Sequence, residues 1–339
     1  MALNTRSFHS KGSFHSIVLL CVLALIGSSC SAAQQSPPSE EIPSANPSCK
    51  EPLARVVMII HGNLKTSAFW PDVAQGAVES AYDNCIHLEV NDLENSDYDK
   101  MSGLIVDAAA SKPDGVIISL PNVTKLQPAI KKLEENNIPF VVINAGSEDA
   151  KNMGALAFVG QKDEYNAGYK AGEQMAEAGV RHAYCINLQP QNKTSTQRCE
   201  GFIDAIKSKG GSAQVLVVER SDPGAADRIK LALELAPETD GIFATAELPI
   251  IQDAIKDMGM QDTTSFAYFD FSPKSYDAIQ YENMLFAAGQ GPYKQGYCAI
   301  SILSSYFLTP DATYKEVITG PVFITRENYQ DTQTGGDCK

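Results

Sequence analysis

Short, mostly apolar runs recur along this chain at intervals of roughly 25–30 residues, each followed by a stretch with helical period, and this rhythm leaves few folds open. Residues 55–60 (RVVMII), 86–90 (IHLEV), 115–119 (GVIIS) and 140–143 (FVVI) have strand length and turn residues on either side. Runs of this kind are strands covered on both faces. The segments between them, 69–84, 97–110 and 126–136, carry helical spacing, the last stopped by Asn137 and Pro139. Repeated strand–helix units mean a parallel sheet with right-handed crossovers.

The pattern restarts at 157–159. Strands are expected at 183–188, 213–218, 241–244 and 265–269, with helices at 164–178, 196–209, 225–236, 247–258 and about 272–281. A strand at 285–288, a helix at 293–308 and a short strand at 322–324 close the chain. The expected fold is α/β: two doubly wound parallel-sheet lobes joined by a multi-strand hinge. One lobe spans 53–148 and is completed by about 290–320. The other spans 149–289 with the end, about 321–339. The lobe boundary is placed near 145–156 and the return near Gly289.

The first 33 residues read as an export signal. Arg6 and Lys11 precede an apolar run at 17–26 that is too short to span a bilayer, and small residues follow. Cleavage after Ala33 and lipidation of Cys30, behind Ser28-Ser29, both fit; either way the protein is exported to the periplasm or outside the cell. Residues 34–52, rich in Ser, Pro, Glu and Gln, read as a tether. Six cysteines remain beyond Cys30, an even number in an exported chain, which favours disulfides. Cys185 with Cys199 is the pairing expected first, one near a strand end and the other opening a helix. Six cysteines allow fifteen pairings, and among those left Cys49 with Cys85 and Cys298 with Cys338 are candidates that the sequence does not decide. The chain holds 41 acidic against 27 basic residues, a surface that repels nucleic acid.

In open α/β sheets ligands sit beyond the carboxyl ends of the strands. The residues there are the 61–70 loop with Phe69 and Trp70, then Asn122, Asn144, Gln161, the 189–198 segment ending in Arg198, Glu247, Asp270 and Gln290. This set holds amides, an arginine, carboxylates and an aromatic pair, but no nucleophile–base pair. Planar polar side chains of this kind bond hydroxyls, and an aromatic face packs on the C–H face of a sugar ring.

Six motifs in order carry a family resemblance: His61-Gly62 through Phe69-Trp70 to Gly76; 126–144 (LQPAIKKLEENNIPFVVIN); 159–168 (VGQKDEYNAG), with Lys162 as an added residue; 198–202 (RCEGF); Phe269-Asp270; and 290–293 (QGPY). Over about 55–325 the chain resembles periplasmic sugar-binding proteins of the ribose-binding type (type I periplasmic binding fold). The resemblance implies a monomer that captures a small polar solute, a sugar first, by hinge closure. It also implies delivery to a separate membrane permease of the ABC type, or signalling through a separate receptor. Carried over, Phe69 and Trp70 cap the ring, Asn144, Arg198, Asp270 and Gln290 bond hydroxyls, and Asn122 and Gln161 lie near the hinge. Ala145, Ala226 and Ala246 stand where the family has larger side chains, which implies a roomier second wall and opens the site to hexoses, polyols or glycosides.

Other functions lack their motifs. Strand 55–60 followed by His61-Gly62-Asn63 is similar to a hydrolase oxyanion loop, but no G-x-S-x-G elbow exists. No zinc, redox or phosphate-loop pattern is present, so neither metal nor cofactor is expected. A repressor would need a basic helix-turn-helix before Arg55, where the chain is acidic and Pro-rich. Asn122-Val123-Thr124 and Asn192-Lys193-Thr194 match the N-glycosylation pattern, with Asn192 as the more accessible acceptor.

Overall fold

The computed structural model describes residues 46, 48–94, 97–219, 222–246, 249–271, 275, 277–279, 284–329 and 338. The signal at 1–33 and most of the tether lie outside the described residues, as does Glu247.

The first sheet is built from β1 (Ala54–Ile59), β2 (Ile86–Asn91), β3 (Gly115–Ser119), β4 (Phe140–Ile143), β5 (Phe158–Gln161) and β11 (Val317–Gly320). The second uses β6 (His182–Asn187), β7 (Ser212–Val217), β8 (Gly241–Ala244), β9 (Ser265–Phe269), β10 (Met284–Gly289) and β12 (Val322–Ile324). The strand orders, β11-β5-β4-β3-β1-β2 and β12-β10-β9-β8-β6-β7, repeat the same doubly wound plan. Every pairing is parallel except β12, which runs antiparallel to β10.

The connecting helices are α1 (Trp70–Asp83), α2 (Tyr98–Ser111), α3 (Val123–Glu135), α4 (Glu164–Glu177), α5 (Lys193–Ser208), α6 (Ala225–Leu235), α7 (Pro249–Asp257) and α8 (Pro292–Leu308). Caps set several of their starts. The side chains of Asp97, Asn122, Asp163 and Asn192 each accept a backbone N–H in the first turn of α2, α3, α4 and α5. Asn192 moves the start of α5 three residues ahead of the expected 196. It is also only 3% exposed and donates its amide to Gln189, so it is the more enclosed of the two glycosylation sequons, the reverse of the sequence reading.

Each sheet has an apolar cluster on both faces. In the first lobe α2 and α3 cover one face, and α1 and α8 the other. In the second, α6 and α7 oppose α4 and α5. The passage between lobes differs from the expected 145–156. Val142 and Ile143 of β4 pair with Phe158 and Val159, so β5 is a fifth strand of the first sheet, and the chain crosses after Gln161. The β4–β5 connection contains no crossover helix, and the restart of strand periodicity at 157 therefore looks like the start of a new lobe. The chain returns through Gln290-Gly291 into α8 and crosses a third time after Gly320.

Two helix pairs reach backbone contact through glycine. At the α4–α5 crossing a Cβ on Gly168 would lie 2.0 Å from the Arg198 carbonyl oxygen, and one on Gly201 would lie 1.9 Å from that of Tyr165. At the α1–α8 crossing Gly76 and Gly296 stand in the same relation to Tyr293 and Val73, at 2.0 and 1.9 Å. In all four cases the carbonyl belongs to the residue three before the partner helix's own glycine, so the two lobes share one construction. Gly201→Ala is expected to force the helices apart and cost about 1–3 kcal/mol in a urea melt. Gly103→Ala, where a Cβ meets nothing within 4 Å inside α2, is expected to be neutral or to stabilise by up to about 1 kcal/mol.

Three disulfides form, Cys185–Cys199 as expected from the sequence, and Cys49–Cys85 and Cys298–Cys338 from among its candidates. Cys185–Cys199 ties β6 to α5 inside the cluster beneath α4 and α5.

Candidate functional site

A cavity of about 640 Å³ lies between the lobes at the carboxyl ends of the strands. From the first lobe it is lined by the β1–α1 loop (His61, Gly62, Asn63, Thr66, Ser67), by Trp70, and by Leu93, Glu94, Asp97 and Tyr98 after β2. From the second come residues 188–191, between β6 and α5, and Glu219.

The β1–α1 loop is held by its own polar side chains. Asn63 Oδ1 accepts the N–H groups of Lys65 and Thr66, Asp92 accepts that of Leu64, and Ser67 Oγ that of Phe69. Buried His61 bonds Ser119 through both its backbone N–H and Nδ1. These bonds fix Trp70, whose indole lies over Gly62: a Cβ there would be 1.7 Å from Nε1. Trp70 meets His61 and Phe69 edge to face, at 4.9 and 5.1 Å between ring centroids. Trp70 lines the cavity. Phe69 belongs to the apolar cluster under α1 and does not.

A second group gathers where the chain crosses between lobes. Arg198, 5% exposed, donates from Nε to Glu164 Oε2 at 2.7 Å, from Nη1 to the Thr245 carbonyl at 3.0 Å and from Nη2 to Gln290 Oε1 at 2.9 Å. Its guanidinium carbon sits 3.8 Å from the centroid of the Phe269 ring. Gln161 Nε2 also donates to Glu164 Oε2, at 2.7 Å, and Gln290 Nε2 donates to Asp270. Burial pushes the Glu164 carboxyl above the ordinary carboxylate value, with the Arg198 charge acting against it. The Gln290 carbonyl accepts from Thr319 and Gln295, tying in the third crossing strand.

Asn144 and Asp270 end β4 and β9 in equivalent ways. Both are left-handed (φ 64° and 75°), and each donates its N–H to the neighbouring crossing strand, at Val159 and Ala288. Asn122, the cap of α3, reaches across to the Gln191 carbonyl at 3.3 Å. Nearby, Lys193 and Gln197 of the second lobe both bond Glu148 of the first. These bonds hold the Glu148 carboxyl below its usual range.

The structure thus brings Gln161, Arg198, Asp270 and Gln290 into one polar network and places Trp70 in the cavity. Asn122 joins the contact between lobes, and Asn144 stands at the end of β4. Several participants were missed, among them Glu164 and Tyr98 and the cavity-lining Leu93, Glu94, Asp97 and Glu219. Glu164 follows a cap residue in a polar run and looks solvated. Tyr98, the buried first residue of α2, follows a strand end as the others do, and the Asp97 cap beside it was the available signal.

The sequence profile of the periplasmic binding protein domain matches residues 57–308. The crystal structure of a carbohydrate transporter from Acidothermus cellulolyticus 11B, in complex with myo-inositol, is 30% identical, with 82% of this chain and 96% of that one covered and a TM-score of 0.75. An ABC transporter solute-binding protein from Burkholderia graminis C4D1M, in complex with D-arabinose, shares the fold at 19% identity, TM-score 0.73, over 83% of this chain and 98% of that one. So does an LacI transcriptional regulator homologue from Bacteroides fragilis, at 17% identity and TM-score 0.74, covering 84% and 100%. No curated protein matches the chain by sequence.

Proposed function

Because this chain belongs to the periplasmic binding protein family, we propose that it is an extracytoplasmic solute-binding protein that encloses a small polyhydroxylated ligand, a sugar or polyol, between its lobes. It then passes the ligand to a separate ABC-type permease. The observation that carries this reading is the cavity, walled by polar loops from both lobes with an indole on one side. The transporter with bound myo-inositol supports the polyhydroxylated class, and the family supports an extracytoplasmic location. Among the described residues no helix is long and apolar enough to cross a membrane. Attachment through a lipid on Cys30, behind the tether, is part of the same reading.

Closure follows from the contacts between lobes. Ligand that touches both walls favours the closed pair, in which Asn122–Gln191 and the Glu148 pair form. Trp70 is the only tryptophan in the chain, so its emission reports ligand directly. Titration with pentoses, hexoses and cyclitols is expected to give a saturable change with at least one of them. The same ligand is expected to stabilise the fold by about 2.7 kcal/mol at a hundredfold excess over its Kd. If no member of the panel moves either emission or melting temperature, the ligand is not a sugar or polyol.

A further inference from the structure

We propose that the cavity between the lobes selects polyhydroxylated ligands that carry a positive charge, an amino sugar or an aminocyclitol, and that Glu94, Asp97 and Glu219 read that charge. This narrows the reading above and rests on it.

Among the described residues the wall of the 640 Å³ cavity holds three carboxylates, Glu94, Asp97 and Glu219, and no lysine or arginine. They come from both lobes. Glu94 follows β2 and Glu219 follows β7, the strands at one edge of each sheet, so the lobes present acids to the cleft from equivalent places. None of the three forms an ion pair among the described residues, although charges that meet elsewhere between the lobes do pair, as Glu148 does with Lys193. Asp97 is held in place by its cap. Its Oδ1 accepts the N–H groups of Asp99 and Lys100, and its Oδ2 makes no hydrogen bond among the described residues.

Closure decides what these charges do. It gathers acids of both lobes around one enclosed space and strips water from them, where like charges oppose each other. A neutral ligand leaves that repulsion standing, and an anionic one adds to it. An ammonium group on the ligand offsets it, because its three N–H donors can meet carboxylates from both sides. The rest of the wall suits the same ligand. Trp70 brings an indole, the best aromatic partner for a cation, and Asn63, Gln189 and Gln191 bring amides for the hydroxyl groups. His61, the other side chain of the wall that titrates near neutral pH, is buried and spends Nδ1 on Ser119.

The test is calorimetric titration at pH 6, where an aliphatic amine is charged. The probes are D-glucosamine, D-galactosamine and an amino-deoxy-inositol, against the neutral D-glucose, D-galactose and myo-inositol. The wild type is expected to bind at least one amine about tenfold or more tighter than its neutral counterpart, by a margin that shrinks as salt is added. Glu94→Gln/Glu219→Gln, which removes one charge from each lobe and keeps the shape, is expected to cut that ratio by about tenfold. Asp262→Asn, which removes an exposed acid ahead of β9, at the opposite end of its sheet from the cavity, is expected to keep the ratio. The two single replacements are titrated as well, so a double variant that does not fold leaves the ratio readable. Three results overturn the assignment while the sugar and polyol reading stands: amines bound no more tightly than their neutral partners by the wild type, a ratio unchanged by loss of the cavity acids, or a ratio that falls as far in Asp262→Asn. Binding of none of the six probes by the wild type overturns both.

Discussion

Arg198→Ala destabilises the protein by about 3–5 kcal/mol, because it strands Glu164 as a buried charge without its partner. The loss is expected to depend on pH. Burial already raises the Glu164 carboxyl above 4.5, and removing the guanidinium raises it further. A group whose folded pKa is raised contributes its full stability below its unfolded value and loses it as pH rises through the folded value. The deficit is therefore smallest in acid, below about 4.5, where the carboxyl is neutral in both proteins, and it grows toward neutral pH. Urea denaturation at pH 4 and pH 7 checks this. The double replacement Arg198→Met/Glu164→Met is expected to recover most of the loss, since well-packed apolar groups replace a buried ion pair at little cost. An equal deficit at both pH values would mean that the arginine acts through its packing on Phe269 and not through charge.

The second large effect is expected from the Cys185–Cys199 bridge. It closes a loop of 14 residues, which the chain-entropy account values at about 3 kcal/mol. Both cysteines are buried among Phe202, Phe243, Phe269 and the small residues of α4, so their loss also thins a packed cluster. The Cys185→Ala/Cys199→Ala protein is expected to melt roughly 6–12 °C lower, taking about 2–4 °C per kcal/mol for a chain of this class. The bridge anchors the helix that carries Arg198, so ligand affinity should fall alongside stability. Unchanged melting would show that the α4–α5 glycine contact alone holds that helix in register.

Much of this architecture was legible in the residues. The apolar runs place the strands because a strand buried on both faces has nowhere to put a polar side chain. Of the cysteine pairs only Cys185–Cys199 followed from where a strand ends and a helix begins; position along the chain gave no such argument for Cys49–Cys85 or Cys298–Cys338. The crossing after Gln161 did not follow, because the turns between β4 and β5 carry no helical period to mark them as part of the first sheet. Arg198 was legible as a site residue but its partner was not. A glutamate in the run 162–166 (KDEYN) reads as solvated, and only the close approach of two helix ends turns it inward. Gln290 stands at the crossing because it follows β10 directly, and Trp70 reaches the cavity at the end of the long loop after β1, whereas Phe69, one residue from the cavity wall, packs into the core.

The α1–α8 glycine crossing joins segments more than two hundred positions apart, whereas the α4–α5 crossing joins neighbours. The second lobe's five parallel strands and the helices between them are contiguous between Lys162 and Gln290, but the first lobe waits for α8 and β11 before one face of its sheet is covered. A chain emerging from its amino end therefore makes the strands of the first lobe early and leaves them half-clad until about the last seventh of its length arrives. The second lobe is free to finish as soon as its own residues are out, short of the single edge strand β12. The order of completion is thus the reverse of the order of synthesis, and the first lobe is the part that most needs shielding on the way.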